Sequence, residues 1–341
     1  MTATPRNTIL TGDAATRLAE LEDASIDCVI TSPPYFRLRD YQHTGQLGLE
    51  ATVDGWVSGL RPVLRQLARV LVPTGTVWLN LGDTYSTHHK QGASAKSLLL
   101  GPERLALALI EDGWTVRNKI IWAKTNPIPS SVPDRLATTH EAIYLLTRQK
   151  RYFFDLDAIR QPAKTAPSRP PRQPSRPGRG GAGVPKQWRG PNADSDSGLL
   201  QMKRRGLTSH PLGKNPGDVW PMATSRYRGQ HFATYPEQLV ERMLLAGVPE
   251  QRCRTCRAPQ TRPLRRLGAT AIRLALRPTC DCHSGIEPGI VLDPFIGSGT
   301  TGVVAKQHGR DWLGIELHPD FAEWATQRIT TTPTDNRKEE A

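Results

Sequence analysis

The chain has 341 residues, enough to bury one large core or two smaller ones. No stretch approaches the roughly 20 apolar residues of a membrane helix, and no secretory signal opens the chain, so we expect a cytoplasmic protein. Five cysteines, one of them isolated, argue against a disulfide scaffold and indicate a reducing compartment.

The formal net charge of +13 is concentrated in one part of the chain. Residues 148–215 contain 15 Lys and Arg against 4 Asp and Glu, which leaves only +2 for the remainder. A basic segment on a nearly neutral body is typical of a surface that binds a polyanion. The alternative is a solvated linker, since residues 161–191 contain eight prolines and cannot build a core.

Apolar runs and helical periodicity alternate along the rest of the chain. Strands are predicted at residues 8–13, 26–31, 76–81, 118–122 and 140–147, with helices at 14–21, 56–71 and 103–111 and a turn at 73–75. After the basic segment, helices are predicted at 236–246, 300–308 and 319–329 and strands at 289–293 and 312–316. Strands that alternate with helices indicate an α/β sheet with crossover connections.

A glycine-rich sequence, Asp293-Pro294-Phe295-Ile296-Gly297-Ser298-Gly299-Thr300-Thr301, follows the predicted strand 289–293. We call residues 293–301 the glycine loop. Such a loop lets the backbone approach a ligand closely, and Glu316, at the end of the next strand, can bind both hydroxyls of a ribose. The Asp293 carboxylate suits an ammonium group, which S-adenosylmethionine (SAM) has and a dinucleotide pyrophosphate lacks. We therefore expect SAM as the cofactor.

The order of the strands predicts a permuted sheet. A SAM-type sheet needs a further strand beside the one ending at Glu316, and only 25 residues follow it. The N-terminal strands 8–13 and 26–31 are the natural candidates, so we interpret the chain as circularly permuted. The cluster Ser32-Pro33-Pro34-Tyr35 would then lie at the carboxyl edge of the sheet, near the cofactor.

The Ser32–Tyr35 cluster combines a hydroxyl, two rigid prolines and an aromatic ring. Its acceptors could hold the exocyclic amine of a base flipped out of a duplex, while Tyr35 and Phe36 offer faces for stacking. An aryl amine is a poor nucleophile, and acceptors aimed at its hydrogens favour the pyramidal, more reactive nitrogen. The alternative is an ordinary proline turn at the end of a strand.

These two motifs resemble those of the amino-methylating DNA methyltransferases of the beta arrangement, over residues 5–160 and 215–330. The resemblance implies a SAM-dependent, site-specific enzyme with a Rossmann-like sheet, acting on double-stranded DNA inside a prokaryotic or phage-infected cell. It implies target-amine contacts from Ser32, Pro33, Pro34 and Tyr35. It implies cofactor contacts from Asp13, Thr234, Pro236, Asp293, Phe295, Gly297, Gly299, Thr300 and Glu316. A cognate restriction endonuclease is a possible functional partner.

Serine at the first position of the cluster is the form associated with methylation of cytosine N4, and adenine N6 is the alternative. Carbon-5 methylation is disfavoured because it needs a thiolate nucleophile, whereas Cys28 lies inside a strand. A SAM enzyme acting on RNA or protein amides and a nonenzymatic zinc-containing DNA binder remain open. An oxidoreductase is disfavoured because the chain has no recognisable hydride-transfer site.

Four cysteines have the spacing of a structural zinc site, namely Cys253, Cys256, Cys280 and Cys282. His283 could replace one of them, and four reduced cysteines without metal are the alternative. Six arginines surround this site and could contact DNA phosphates: Arg252, Arg254, Arg257, Arg262, Arg265 and Arg266. Asp83, at a predicted strand end, could support the catalytic turn or be an acid of a surface loop. Lys124 and Glu141, at the ends of two other predicted strands, could contact the DNA or brace its loops.

The predicted domain organisation has five parts. They are a catalytic half (1–147), a basic target-recognition region (148–215), a SAM-binding half (216–249 and 286–330), a cysteine-rich, zinc-ribbon-like insert (250–285) and a polar tail (331–341).

Overall fold

The computed structural model of the protein describes residues 4–162, 210–225, 234–267 and 270–334. Most of the basic segment and residues 231–233 lie outside the described residues. The chain divides into two compact units, the larger drawn from residues 1–159, 217–261 and 276–341, the smaller from 160–216 and 262–275. The predicted boundaries of the five parts stay a prediction.

The larger unit contains an eight-stranded sheet flanked by helices. The strands of the chain are β1 (Thr8–Thr11), β2 (Ile26–Thr31), β3 (Leu71–Leu81), β4 (Thr115–Lys124), β5 (His140–Thr147), β6 (Val219–Met222), β7 (Gln251–Cys253), β8 (Leu264–Leu267), β9 (Thr270–Arg273), β10 (Ile286–Pro288), β11 (Ile290–Asp293) and β12 (Asp311–Glu316). The helices are α1 (Ala14–Ala19), α2 (Val53–Val70), α3 (Gly101–Glu111), α4 (Glu237–Gly247), α5 (Thr300–Gln307) and α6 (Pro319–Thr331). In the smaller unit, β8 and β9 form an antiparallel hairpin.

The sheet has the order β1-β12-β11-β2-β3-β5-β4-β6, with β5 antiparallel to both of its neighbours. Strand β1 pairs in parallel with β12, and β2 pairs in parallel with β11. The N-terminal strands therefore complete the C-terminal half of the sheet, as the strand count predicted. The circular permutation inferred from that count stays a prediction.

Both faces of the sheet are covered. All six residues of β2 are buried, with Ile26 and Val29 in one apolar cluster and Cys28 and Ile30 in another. The first cluster contains α1, α2 and α3, and the second contains α4 and α5. Side chains of a strand point alternately to the two faces, so this division follows from the pleat and explains why β2 is apolar throughout.

The predicted turn at residues 73–75 lies inside β3 (Leu71–Leu81), where it takes the form of a register shift: residues 72–75 stand opposite Asp27 alone between the pairs Leu71–Ile26 and Thr76–Cys28. Gly75 permits this, since a Cβ there would lie 3.0 Å from the carbonyl oxygens of Asp27 and Val72. Within the described residues, no helix has both the length and the apolar character needed to span a membrane.

A buried charge cluster fixes the short ribbon of β7 and β10 to the amino end of β2. Arg252, only 2% exposed, donates to the carboxylates of Asp27 at 2.8 Å and Glu287 at 2.9 Å, and to the Ser25 carbonyl. Asp27 also accepts from the Ile290 amide at 2.8 Å. Burial raises the pKa of Asp27 to about 6, and the charge of Arg252 opposes that rise.

Arg257, in the same region, donates to the carbonyls of Asp23 and Ala24. The expectation that Arg252 contacts DNA phosphates is therefore wrong, since its guanidinium is buried and binds acids of its own chain; the same expectation for Arg257, whose side chain is 23% exposed, stays a prediction. The physical reason is that the buried Asp27 carboxylate needs a cation, and the neighbouring ribbon supplies it.

Replacing Arg252 by Met should destabilise the protein by about 3–5 kcal/mol, because two acids would lose their buried cation. Exposed Arg254 is a matched control on the same ribbon, and Arg254→Met should change stability by no more than about 0.5 kcal/mol. Urea unfolding of both variants measures the difference. Equal stability of the two variants would contradict this account of the cluster.

Candidate active site

A cavity of about 610 Å³ opens in the larger unit at the carboxyl edge of the parallel strands. It lies where β1, β2, β11 and β12 end, the edge at which open α/β sheets bind ligands. Ten of the predicted site residues line it: Asp13, Ser32, Pro33, Pro34, Tyr35, Thr234, Phe295, Gly297, Thr300 and Glu316. The two motifs, which are far apart in sequence, therefore face one cavity.

Three other predicted cofactor residues, Pro236, Asp293 and Gly299, do not line this cavity. Pro236 directly precedes α4 as its N-cap. Gly299 is the N-cap of α5 and has a left-handed backbone, with φ at 80°. A side chain there would also press on Ile329 of α6, so a glycine is required for both reasons.

The carboxylate of Glu316 holds the glycine loop at its turn. Its oxygens accept from the backbone amides of Gly297 at 2.9 Å and His318 at 3.0 Å. Burial raises the pKa of Glu316, while these two amide hydrogen bonds oppose the rise. The acid is thus fixed at the end of β12 and faces the cavity, the placement that binding of a ribose requires.

Asp293 is the first residue of the glycine loop, and its side chain joins the loop to β2. Its side chain, 1% exposed, accepts from the hydroxyls of Thr31 and Thr301 at 2.7 Å and of Tyr235 at 2.8 Å, and from the Phe295 amide at 3.1 Å. Burial raises the pKa of Asp293, and these donors counter the rise. In this structure the carboxylate is used for bracing the loop; its predicted contact with a cofactor ammonium stays a prediction.

The Ser32–Tyr35 cluster is held from both sides. The Trp56 indole of α2 donates to the Pro34 carbonyl at 2.9 Å. The Tyr35 ring lies against Gly82, where a Cβ would come within 2.6 Å of the ring. Glycine is therefore needed at residue 82 to leave room for the ring. Phe36 is 3% exposed within the core, so its predicted stacking on a base is wrong.

Three polar residues that the motifs did not identify complete the cluster. The Tyr35 hydroxyl lies 2.8 Å from Ser32 Oγ, donates to Glu141 at 2.7 Å and accepts from Asn80 at 2.8 Å. Lys124 pairs with Glu141 at 2.7 Å. Burial, followed by the charge of Glu141, raises the pKa of Tyr35 well above its ordinary value, so the phenol stays neutral.

Asp83, by contrast, does not reach the Ser32–Tyr35 cluster. Its carboxylate accepts from the backbone amides of Leu100 at 3.0 Å and Gly101 at 3.1 Å, at the start of α3. It therefore stabilises the N-terminus of this helix, an ordinary position for an acid.

Aromatic rings form another part of the cavity lining. The imidazole of His318 stacks on Phe321, with ring centroids 4.5 Å apart, and Tyr41 meets Phe321 edge to face at 6.4 Å. These rings were not identified from the sequence. His318 and Phe321 lie two and five positions after Glu316, at the start of α6, and this closeness was the signal that could have found them. Flat rings beside an acid that suits a ribose are appropriate for a purine nucleoside.

The four predicted metal ligands come together. The Sγ atoms of Cys253, Cys256, Cys280 and Cys282 all lie within 4.8 Å of one another. A tetrahedral zinc site with Zn–S bonds of about 2.3 Å places its sulfurs about 3.8 Å apart, so this donor set fits zinc after a small contraction. Among the described residues, His283 does not belong to the cluster.

The sequence of this chain is similar to those of known DNA methylases. Residues 26–327 match the model of a family described as DNA methylase, the N6/N4 methyltransferases. The Type II methyltransferase M.XycI of Xanthomonas campestris pv. cyanopsidis is 31% identical over 345 residues, covering 95% of this chain and 87% of its own.

Two solved structures are similar in fold. The cytosine-N4-specific PvuII DNA methyltransferase has a TM-score of 0.57 at 16% identity, covering 96% of this chain and 91% of its own. A DNA modification methylase of Thermus thermophilus, complexed with SAM, has a TM-score of 0.50 at 22% identity, covering 94% and 93%. The family match over most of the chain shows that this protein belongs to the N6/N4 DNA methylases, the SAM-dependent DNA amino-methyltransferases.

Proposed function

We propose that this protein methylates N4 of a cytosine flipped out of duplex DNA, with SAM as the methyl donor. The observation that carries the proposal is the single cavity in which Ser32–Tyr35 and the glycine loop meet. Methylation of adenine N6 is the second candidate, since adenine presents the same kind of exocyclic amine.

The cofactor half of the cavity fits SAM. The volume of the whole cavity, about 610 Å³, lies within the usual range for a small-molecule site, about 300–1,000 Å³. Glu316 would bind the ribose hydroxyls, while Asp13 and the rings of His318 and Phe321 would lie near the adenine. Gly297 lets the backbone approach the cofactor. When bound, SAM supplies an electrophilic methyl group on a sulfonium.

The target half of the cavity orients the amine. Ser32 Oγ and the backbone carbonyls of the turn accept its hydrogens, and the neutral Tyr35 provides a ring face. This would favour the pyramidal nitrogen, whose lone pair would form the new N–C bond while sulfur keeps the electron pair of the C–S bond. The methylated nitrogen would then release its extra proton to water. Positioning provides much of the rate, because no group of the protein changes covalently.

DNA affinity belongs to the basic region in this proposal. Residues 148–215 would contact phosphates and thereby give a steep salt dependence, with base-edge contacts from part of the region choosing the sequence. A cognate restriction endonuclease fits an enzyme of this kind, since methylated sites are then protected.

Transfer of tritiated methyl from SAM to unmethylated genomic DNA tests the function, and we expect label in N4-methylcytosine after digestion to nucleosides. Label in N6-methyladenine would support the second candidate instead. Tyr35→Ala should lower turnover by about 100-fold while SAM affinity changes little, because the ring positions the base. A protein that binds SAM and labels no DNA would contradict the proposal.

We also propose that the four cysteines hold a structural zinc ion. Cys253 ends β7 and Cys256 follows in a tight turn, in which the Arg257 amide donates to the Cys253 carbonyl at 2.9 Å. Methyl transfer to an amine needs no metal-bound water, so the role is structural. The ion would fix the ribbon that carries Arg252.

Native mass spectrometry of the purified protein should therefore find one zinc per chain. Cys256→Ser should lose the metal and lower thermal stability, while SAM binding is partly retained, because the cavity lies at the opposite edge of the sheet. Cys28→Ala is the matched control, since Cys28 is not part of the cluster and this variant must keep its metal. Wild-type protein free of metal would end this proposal.

A further inference from the structure

A chain of hydrogen bonds joins Ser32 to Glu141 through Tyr35, and the donor and acceptor of each bond follow from the charge of Glu141. Glu141 accepts three hydrogens from its neighbours: Tyr35 at 2.7 Å and Asn80 at 2.7 Å bind Oε2, while Lys124 at 2.7 Å binds Oε1. Its side chain is 14% exposed and is paired with a cation that is 22% exposed. An ionised carboxylate can accept hydrogens and has none to give.

The direction of the next bond follows from this. A phenol has one hydrogen, and Tyr35 gives it to Glu141. In the 2.8 Å contact between Ser32 Oγ and the Tyr35 hydroxyl, Ser32 must therefore be the donor. The Ser32 hydrogen is thereby used for Tyr35. Asn80 Nδ2 lies 3.5 Å from Ser32 Oγ, at the limit of a hydrogen bond, so Ser32 keeps acceptor capacity for a ligand.

Asn80 is oriented by the same carboxylate. Its Nδ2 donates to Glu141 at 2.7 Å and to the Tyr35 hydroxyl at 2.8 Å, so the amide presents hydrogens to both. The opposite amide orientation would set an oxygen against the carboxylate. Tyr35 thus has its two acceptor positions occupied by Ser32 and Asn80, and the chain of hydrogen bonds cannot reverse while Glu141 is charged.

We propose that Glu141 is a positioning residue that fixes this direction and so makes Ser32 an acceptor for the target amine. The inference rests on the proposed methylation of an exocyclic amine. If the hydrogen bonds ran the other way, Ser32 would point its hydrogen at the nitrogen lone pair. That lone pair must be free to form the N–C bond, so the reversed direction would oppose the reaction.

A purely structural role is not needed to explain Glu141. Strands β4 and β5 are already paired through their backbones, with Trp122 opposite Glu141 in the register. The side chain lines the active-site cavity together with Lys124 and Asn80. The carboxylate therefore serves the cavity rather than the pairing of the strands.

Replacement by glutamine disturbs the direction because an amide has one oxygen and one NH2 group. If its oxygen faces Tyr35 and Asn80, its NH2 group is forced against the Lys124 ammonium. If the amide turns over, its NH2 group donates to the Tyr35 hydroxyl. Tyr35 then gives its own hydrogen to Ser32, and the Ser32 hydrogen is left to point into the cavity. Glu141→Gln is nearly isosteric, so the change in hydrogen-bond direction is separated from a change in shape.

Steady-state and single-turnover methylation of DNA, with SAM binding, provide the test. Glu141→Gln should lower kcat by about 10–100-fold, the effect of losing a hydrogen bond to a charged group, with KM for DNA and SAM affinity within about threefold of wild type. Glu103→Gln is a matched control: Glu103 also accepts from a lysine, Lys119, and a tyrosine, Tyr144, but does not line the cavity. Its kcat should be unchanged.

A double-variant cycle shows whether Glu141 acts through Tyr35. Tyr35→Phe removes the hydroxyl in the middle of the hydrogen-bond chain and keeps the ring, so adding Glu141→Gln should then lower kcat by less than about threefold. The inference would be overturned if the loss of kcat in the double variant equalled the product of the losses in the two single variants. A Glu141→Gln enzyme as fast as wild type would also overturn it. Wild-type protein that fails to methylate DNA would instead refute the proposed function.

Discussion

The buried carboxylate of Asp293 is the contact on which the site depends. It ties Thr31, the last residue of β2, to the glycine loop through hydrogen bonds to Thr31, Thr301 and the Phe295 amide. Thr31 and Asp293 are 262 residues apart in sequence. Because Ser32 directly follows Thr31, this one acid brings the Ser32–Tyr35 cluster and the glycine loop to the same cavity.

A second buried acid fixes the other end of the same strand pair. Asp27, near the start of β2, accepts from the amide of Ile290, the first residue of β11. Strands β2 and β11 are thus joined by a side-chain carboxylate at each end, in addition to their backbone pairing. Each acid is costly to bury, and each is compensated by several donors, Arg252 for Asp27 and three hydroxyls for Asp293. The register that places Ser32 beside the loop is therefore strongly specified.

Much of the fold followed from the sequence, because apolar runs and glycine turns are local signals. The predicted strands of the central sheet and the lining residues Ser32, Gly297 and Glu316 were found where expected. At 73–75 the local Pro-Gly signal appears as a register shift inside β3 and not as a turn before it, because β3 pairs with β2 on both sides of these residues. Glu141, 106 residues from Tyr35, could be placed only at a strand end, since its partners are set by strand order.

Under the proposed function, the Ser32–Tyr35 cluster would recognise what cytosine and adenine share, namely an amine with two hydrogens on a flat ring. Glu141 is paired with Lys124 and reaches Ser32 only through Tyr35, so the groups that would face such an amine are neutral acceptors that suit either base. Discrimination between the bases must then come from groups that face the rest of the ring, whose size and edge differ. Trp122 and Lys124 also line this cavity, so under the proposal they are candidates for contributing to that choice.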